Sequence, residues 1–415
     1  MLGGAMNVQA IKRKRYIYLF SSALSFLVLG LVYAWSLFAT PLAIIYGWEM
    51  AAVKMTFTFC MIAFCVGGLV GVRALGKLGA RGAILLAATL LVCGFAGTAL
   101  LAPQGIWALY LCYGVLIGCG TGLGYNVVIA TVTQWFPDRT GFASGIMFMG
   151  FGLGSLTLGT LTNSVIGAFG ISTAFAMVAT AAGIVFMLLS LLLKRAPESI
   201  GELLGGAEKR KARTAGPEAD ARRLFHDPAF YGYYLWAIII LGAGLVMIGT
   251  SKQGAVELGL NETLATTLVG IIPIVNGVAG LSMGVIYDRM GLRFSMTLVA
   301  AVAFASCTVL ATAFWSGFGT LYIAGCLVLV TAYGSVAPLA TGFARERYGE
   351  KRFPRHLAIV NTDIAGGSIF QQAIASACAG SSPLIYTAMA VFGAVALITS
   401  RIFSHIAKPS RTETD

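Results

Sequence analysis

Charged residues are scarce in this chain. They make up 11% of its 415 residues, whereas soluble globular proteins carry roughly a quarter. Hydrophobic residues account for 58%. An ordinary soluble protein is therefore excluded, and the composition indicates an integral membrane protein.

The side chains that most often perform chemistry are also few. The three histidines, His226, His356 and His405, lie near predicted helix ends with no catalytic partners close in sequence. All eight cysteines fall within apolar segments without a CxxC spacing, which is typical of small core residues. No nucleotide-binding loop is present. We therefore expect a protein that is not an enzyme, binds no metal or cofactor and is not driven by ATP.

The sequence is rich in apolar windows of roughly twenty residues, the length that crosses a hydrocarbon core about 30 Å thick. About twelve of them are predicted, which indicates an all-α integral membrane protein. They cover approximately residues 17–40, 53–74, 83–102, 105–134, 142–167, 171–193, 229–252, 264–287, 294–314, 318–343, 356–380 and 384–405.

Basic residues are distributed unevenly between the two sides of these windows. If the N-terminus is inside, only Lys54 and Lys252 fall on external segments, and lysine and arginine are retained on the cytoplasmic side. The pattern predicts a multi-pass protein of the plasma membrane, that is, a bacterial or archaeal cytoplasmic membrane, with both termini cytoplasmic. The basic clusters lack the aromatic and glycine pattern of nucleic-acid modules, so no nucleic-acid partner is expected.

A polar segment at 194–228 interrupts the series of apolar windows. Its Gly, Pro, Lys and Glu content is typical of a flexible cytoplasmic connector. It predicts an N-terminal six-helix bundle at 1–193 and a C-terminal six-helix bundle with a cytoplasmic tail at 229–415.

Two pairs of loops indicate that these halves are duplicates. The loop "KLGAR" (77–81) corresponds to "RMGLR" (289–293), and "FPDRTG" (136–141) corresponds to "YGEKRF" (348–353). The separation along the chain is the same in both pairs, from position 77 to 289 and from 136 to 348, and we call it the repeat spacing. Two independent loops that share one spacing favour an internal repeat, which is the usual construction of secondary transporters.

The loop "GVIYDRMGLR" (284–293) resembles the G-x-x-x-D-R-x-G-x-R motif of the major facilitator superfamily. The resemblance covers essentially the whole chain and implies two pseudo-symmetric six-helix bundles around a central cavity that opens alternately to each side. Within that superfamily, three stretches look like the oxalate/formate antiporter family, which is related to the monocarboxylate transporters: "YAWSLFATPL" (33–42), "WFPDRTGFASGIMFMGFGLG" (135–154) and "DPAFYGYYLW" (227–236).

The same loops predict a cytoplasmic gate. Asp288, at the end of predicted helix 8, can accept hydrogen bonds from nearby arginines and from the N-terminal end of a facing helix. Gly76 occupies the corresponding position of the first half, so the latch there lacks its acid. The alternative is that Asp288 and Arg289 are ordinary loop charges. The basic residues assigned to the gate are Lys77, Arg81, Arg289 and Arg293.

Glycines crowd two of the predicted helices. Helix 5 carries them at 145, 150, 152, 154 and 159, and helix 11 carries Gly366 and Gly367. Because glycine lets membrane helices approach backbone to backbone, we expect close helix contacts at both places.

Polar residues near the membrane midplane are the candidates for solute binding. Tyr125 and Asn126 lie about ten residues, roughly 15 Å, from the predicted cytoplasmic end of helix 4. Lys252, near the predicted external mouth, either attracts an anionic solute or extends to the surface. For each candidate the alternative is a hydrogen bond that joins helices. The other candidates are Tyr33, Trp35, Asn276 and Tyr333.

The resemblance also identifies groups that this chain lacks. Transporters like the oxalate/formate antiporter place an Arg in helix 8 and a Lys in helix 11 to bind carboxylates, and those positions correspond here to Gly280 and Ile364. An anion at the midplane requires compensating charge. Tight binding of a dianion is therefore not expected, and a monoanion, a zwitterion or a neutral solute is favoured.

Asp363 lies about eight residues inside predicted helix 11, roughly 12 Å from its cytoplasmic end, too deep for its short side chain to reach bulk water. Gly367 and Gln371 share its helical face, so a polar stripe runs along this helix. One hypothesis is that Asp363 faces the central cavity and binds and releases the proton that drives solute movement. The alternative is a carboxylate that joins helices through Asn361 or Thr362.

Three functional hypotheses follow. The first is a monomeric secondary active transporter that moves a small, monocarboxylate-like organic acid through the lipid bilayer by proton symport or by exchange with a counter-anion. The second is a proton-coupled exporter of neutral or cationic small molecules, favoured by Asp363 and by the lack of midplane cations. The third is a membrane sensor without transport activity.

Overall fold

The computed structural model describes residues 8–197, 200, 224–349 and 352–406. Within these ranges all regular secondary structure is helical, and nine helices are long and apolar enough to span a membrane. The predicted all-α membrane fold is therefore confirmed. Most of the predicted connector at 194–228 and the C-terminal tail beyond 406 lie outside the described residues.

The first half of the chain contains six helical segments. Helix α1 consists of Val8–Leu29, a 3-10 stretch at Gly30–Ala34, and Trp35–Tyr46. The run Met50–Leu101 is helical throughout except at Gly79 (φ 69°, ψ −178°), and we divide it there into α2 (50–78) and α3 (80–101). The remaining helices are α4 (Ile106–Trp135), α5 (Thr140–Phe169) and α6 (Ile171–Leu192), with π-helical stretches at Tyr110–Ile117 and Ser155–Gly159.

The second half repeats this order. Helix α7 spans Pro228–Glu257, and the run Glu262–Ser316 is interrupted at Gly291 (φ 79°, ψ 175°), which separates α8 (262–290) from α9 (292–316). Helix α10 spans Gly319–Tyr348. Helix α11 has two parts, Phe353–Val360 and Asp363–Ala377, and α12 spans Ser382–Ile406.

The helix count is consistent with the twelve predicted segments. Two of the nine spans in the described ranges are 50 and 55 residues long, enough for two crossings each at 1.5 Å per residue. The break at Asn361 and Thr362 leaves two parts of α11 that are each too short to count as a span. The predicted loops around 77–81 and 289–293 are helical except at their single glycines.

Backbone conformation supports the predicted duplication. Four glycines of the first half have positive φ angles, Gly47, Gly79, Gly105 and Gly170. The first three each have a counterpart with positive φ in the second half, namely Gly259, Gly291 and Gly317. All three pairs have the repeat spacing that the loop motifs define. Glycine adopts these conformations without the steric cost that other residues incur.

Helix α5 packs between α1 and α8, as its glycines predict. On one side, Gly150 and Gly154 contact the backbone of α1 at Ala23 and Leu27. On the other side, Gly141 and Gly284 bring the backbones of α5 and α8 together, and a side chain on either glycine would meet the carbonyl oxygen of the other. The two halves of the chain are thus in intimate contact along these helices.

Many of the basic residues lie at one end of the bundle, the predicted cytoplasmic side. We call it the basic end, and it is marked by Arg15, Lys77, Arg139, Arg289 and Arg355. In the first half, Arg15 donates a 2.8 Å hydrogen bond to Asp138. In the second half, Arg347 donates two to Asp227, of 2.8 and 3.0 Å. Each pair fixes a helix end to a neighbouring helix of the same half.

Asp227 also begins helix α7. Its carboxylate accepts a 3.0 Å hydrogen bond from the backbone N–H of Ala229, a helix cap. Burial alone would raise the pKa of Asp227, but the hydrogen bonds from Arg347, Ala229 and Tyr348 outweigh burial and hold that pKa below its ordinary value. The charged form of Asp227 is therefore part of the folded state.

Candidate solute-binding cavity

A cavity lies in the middle of the bundle, where helices from both halves meet. Its volume is about 60 Å³, enough for a few water molecules or a solute of a few non-hydrogen atoms. The lining residues come from α1, α2, α4, α5, α7, α8, α10 and α11: Tyr33, Phe64, Tyr125, Phe148, Phe151, Leu241, Asn276, Tyr333, Gly334, Val336, Ala337, Ala340, Asn361, Asp363 and Ile364.

Aromatic rings form the wall that the first half contributes. Tyr125 stacks on Phe148 with ring centroids 5.8 Å apart, and it meets Phe64 edge to face at 5.3 Å and Phe151 at 6.0 Å. Such pairs are rigid and favourable beyond the area that they bury. The Tyr125 ring is thereby held in place beside the cavity.

Asp363 is the one carboxylate among the lining residues, all of which the structure describes, and none of them is lysine, arginine or histidine. Its side chain is 1% exposed. One of its oxygens, Oδ2, is buried with no hydrogen-bond partner in the described part of the chain. A buried carboxylate oxygen in this position needs a proton, a cation or a donor on a bound solute.

The break in α11 places Asp363 at the start of a helix. The segment Asp363–Ala377 begins directly after Asn361 and Thr362. The backbone of these two residues keeps right-handed helical angles, and the N–H groups of Thr362 and Ile364 bond three residues back rather than four, so the helix tightens locally beside the cavity. The sequence predicted an unbroken helix 11 with Asp363 eight residues inside it, and that expectation differs from the structure.

Two tyrosines close the side of the cavity away from the basic end. The hydroxyls of Tyr33 on α1 and Tyr333 on α10 are hydrogen-bonded to each other. Tyr333 lies farther from the basic end than the other lining residues of α10. The bond joins the two halves of the chain above the cavity.

Two asparagines form the floor of the cavity toward the basic end. Asn361 donates a 3.4 Å hydrogen bond to Asn126, which itself donates to the carbonyl of Gly122 at 3.1 Å. The bond again joins the two halves. Asn126 is buried and reaches the cavity through Asn361, whereas Tyr125 lines it directly.

Four of the predicted solute contacts line the cavity: Tyr33, Tyr125, Asn276 and Tyr333. Trp35 lies elsewhere, buried with its ring 4.5 Å from that of Tyr113. Lys252 forms a 3.1 Å ion pair with Glu262 at the surface, where the two side chains are 53% and 81% exposed. We therefore do not propose Trp35 or Lys252 as contacts of a solute in this cavity.

The gating residues lie at the basic end. Asp288 accepts a 3.3 Å hydrogen bond from the backbone N–H of Phe142 in the first turn of α5, which is the contact with a facing helix N-terminus that the sequence predicts. Lys77, Arg81 and Arg289 are exposed, and Arg293 is half-buried. A role for these residues in gating remains a prediction.

Sequence reasoning missed several lining residues, among them Phe64, Phe148 and Phe151, because an aromatic residue in an apolar window looks like ordinary core. The duplication would have pointed to two of them. At the repeat spacing, Phe64 corresponds to Asn276, and Phe151 corresponds to Asp363. Corresponding positions in the two halves thus face the same cavity.

Repeated helical halves around a mid-membrane cavity define the class of polytopic solute transporters. The chain belongs to the Major Facilitator Superfamily, because that family's model matches residues 16–370. Members of this family are transporters, in agreement with the prediction that the protein is not an enzyme.

Individual relatives refine this assignment. The chain is 26% identical over 289 residues to the oxalate:formate antiporter of Oxalobacter formigenes, covering 69% of this chain and 67% of that protein. It is 35% identical to monocarboxylate transporter 9 of Gallus gallus over only 66 residues, 16% of this chain and 13% of that protein. Among solved structures, a proton:xylose symporter matches with a TM-score of 0.76 at 16% identity, covering 93% and 95% of the two chains. That structural likeness concerns the fold.

Proposed function

We propose that this protein is a secondary active transporter that carries a small monocarboxylate together with a proton. The proposal includes the predicted orientation, with the basic end and both termini in the cytoplasm. The observation that carries it is Asp363, a buried carboxylate with an unpartnered oxygen in a cavity with room for only a few atoms.

Charge decides the order of events in this proposal. An ionised Asp363 would repel a carboxylate solute across a few ångströms in a medium of low dielectric constant. A protonated Asp363 is instead a hydrogen-bond donor. The Tyr125 hydroxyl is a further donor, and so is the one hydroxyl of the Tyr33–Tyr333 pair that does not donate to the other. The proton therefore binds first and permits the anion to enter, which couples the two. The small volume favours acids of the size of formate, acetate or lactate.

The relatives support the solute class. One is named as an antiporter of oxalate and formate, and another as a monocarboxylate transporter. A dianion is less suited to this cavity, since its described lining contains no lysine, arginine or histidine.

Uptake into proteoliposomes tests the proposal. Radiolabelled formate, acetate, lactate and pyruvate are offered with an imposed pH gradient, acid outside. We expect wild-type protein to concentrate at least one of them, and Asp363→Asn to retain counterflow exchange but to lose accumulation. Glu49→Gln, which changes an exposed carboxylate, is the matched control. An Asn variant that still concentrates the acid with a normal pH profile would assign Asp363 a structural role.

A second candidate function is export of neutral or cationic solutes in exchange for protons. The same observation favours it, because a lone carboxylate beside aromatic rings is also suited to an organic cation. Uptake of the permanently charged cation tetramethylammonium, driven by an outward proton gradient in the same vesicles, with no uptake of the four acids, would favour this function over the first.

A further inference from the structure

A buried arginine lies between the two halves near the basic end. Arg345, on α10, is 7% exposed. Its Nη2 donates a 2.8 Å hydrogen bond to the hydroxyl of Thr133 on α4, and its guanidinium lies 4.5 Å from the centre of the Phe353 ring at the start of α11. Elements of both halves thus hold this cation at their interface.

Arg345 lies directly below the floor of the cavity. Its partner Thr133 is seven residues beyond Asn126 on α4, which is about two turns on the same helical face, or roughly 10 Å. Asn126 is bonded to Asn361 at the floor. Any solute that leaves the cavity toward the basic end between α4 and α10 must pass this arginine.

The hydrogen bond from Arg345 to Thr133 depends on the closed interface, whereas Phe353 lies in the same half of the chain as Arg345. When the basic end opens, α4 and α10 must separate, and the bond between Arg345 and Thr133 must break. The Nη2 donor that Thr133 occupies in the closed state would then face the passage. A guanidinium is planar and always charged, and it binds a carboxylate through two parallel hydrogen bonds.

We propose that Arg345 forms a second, transient binding site for the carboxylate group of the solute, used when the cavity is open to the basic end. This inference rests on the proposed transport of monocarboxylates. The acid then has different partners in the two conformations: hydroxyl donors and protonated Asp363 in the cavity, and Arg345 on the cytoplasmic side. A cation on one side only predicts an affinity that differs between the two faces of the membrane.

The test measures transport from each face separately. The full-length protein is studied in inside-out and right-side-out membrane vesicles, with acetate or lactate as the solute, whichever wild type carries faster. We expect Arg345→Gln to raise the KM about tenfold or more in inside-out vesicles, as loss of a charged hydrogen bond implies. In right-side-out vesicles its KM should change less than about twofold.

Thr133→Val is the matched control, because it removes the same interhelical hydrogen bond and leaves the charge. It should not raise the cytoplasmic KM. Arg345→Lys keeps a charge but loses the planar pair of donors, so it should raise that KM by only about threefold. If Arg345→Gln fails to accumulate in membranes, the one-sided effect of Arg345→Lys carries the test.

Two outcomes would overturn the inference. An equal rise of KM on both faces, or a rise in Thr133→Val that matches Arg345→Gln, would reduce Arg345 to a residue that joins helices. A wild-type protein that carries none of the acids would overturn the proposed function, and this inference with it. A wild type that carries one, with no one-sided change in the arginine variants, would overturn the inference alone.

Discussion

At the repeat spacing, Phe64 in the first half corresponds to Asn276 in the second, and Phe151 corresponds to Asp363; all four line the cavity. The helix-interrupting glycines Gly79 and Gly291 occupy corresponding positions, whereas the side chains that face the cavity differ. The first half thus contributes an aromatic wall and the second half contributes most of the polar groups. The two halves thus share backbone conformation at these glycines but differ in the side chains that they contribute to the cavity.

The basic end shows the same asymmetry. Between α8 and α5, the carboxylate of Asp288 accepts a hydrogen bond from the backbone N–H of Phe142. At the corresponding positions the chain has Gly76 in place of the acid and Pro354 in place of Phe142. Proline has no backbone N–H, so both the acceptor and the donor of the second latch are missing. The contact between Asp288 and Phe142 therefore has no equivalent at the corresponding positions, Gly76 and Pro354.

We expect the largest effect from Asp288→Asn. It replaces a charged acceptor at a helix N-terminus with a neutral one, a change of about 1–3 kcal/mol in the closed state. The basic end should open more readily and turnover should fall up to about tenfold. Labelling of a cysteine introduced at buried Thr341 should become faster. Arg73→Gln, at an exposed residue that is not assigned to the gate, is the control, and unchanged labelling in Asp288→Asn would contradict the latch.

The second test compares the two repeated helix breaks. Gly79→Ala and Gly291→Ala place a side chain where φ is 69° and 79°, which costs about 1–3 kcal/mol. A Cβ at either position has no neighbour within 4 Å, so the cost comes from the backbone alone and should be equal. Thermal unfolding in detergent measures it, with Gly76→Ala in a helix as the control. A loss of stability in only one variant would show that the breaks are not equivalent.

The third test makes one polar position of the second half apolar. Asn276→Leu removes an Oδ1 that is buried without a hydrogen-bond partner in the described residues. If Asn276 binds the solute, KM should rise about fivefold, the equivalent of one hydrogen bond, while the unfolding temperature stays equal or rises. Phe64→Leu, at the corresponding position, should instead lower the unfolding temperature through lost packing. Wild-type KM in Asn276→Leu would remove this residue from the site.

The smallest effect is expected from Gly76→Asp. The loop motif alone suggests that this change would restore the missing latch. Because Pro354 offers no N–H and position 76 is exposed with no group within 4 Å of an added Cβ, we expect turnover to stay within about twofold of wild type. Slower labelling at position 341 in this variant would show that a latch has formed through another donor.

Composition and repeat structure were sufficient to predict the fold. Hydropathy located the helical segments, because a membrane span needs length and apolarity and both are visible in a single sequence. The break in α11 was not visible. Asn361 and Thr362 are neither glycine nor proline, so neither residue type marks an interruption. Asn361 bonds to Asn126 of another helix, and a contact of that kind is not visible in a single sequence.

The site was predictable only in part. Tyr33, Tyr125, Asn276, Tyr333 and Asp363 attract notice because polar groups are costly in a membrane, and all of them line the cavity. Trp35 attracts notice for the same reason and lies elsewhere. Whether a polar residue lines the cavity depends on which face of its helix points inward. A helix that is apolar on all sides has no periodic pattern that reveals this face.

The burial of Asp363 also has an electrical consequence. Under the proposed symport, one monoanion and one proton cross the membrane together, and the pair has no net charge. The membrane potential, which acts on each translocated charge with about 2.3 kcal/mol per 100 mV, then does no work on the solute. Accumulation would follow the pH difference alone, about tenfold for each pH unit, and would persist when valinomycin and potassium hold the voltage at zero. A cell that takes up an acid by this route would leave its membrane voltage available for other transporters.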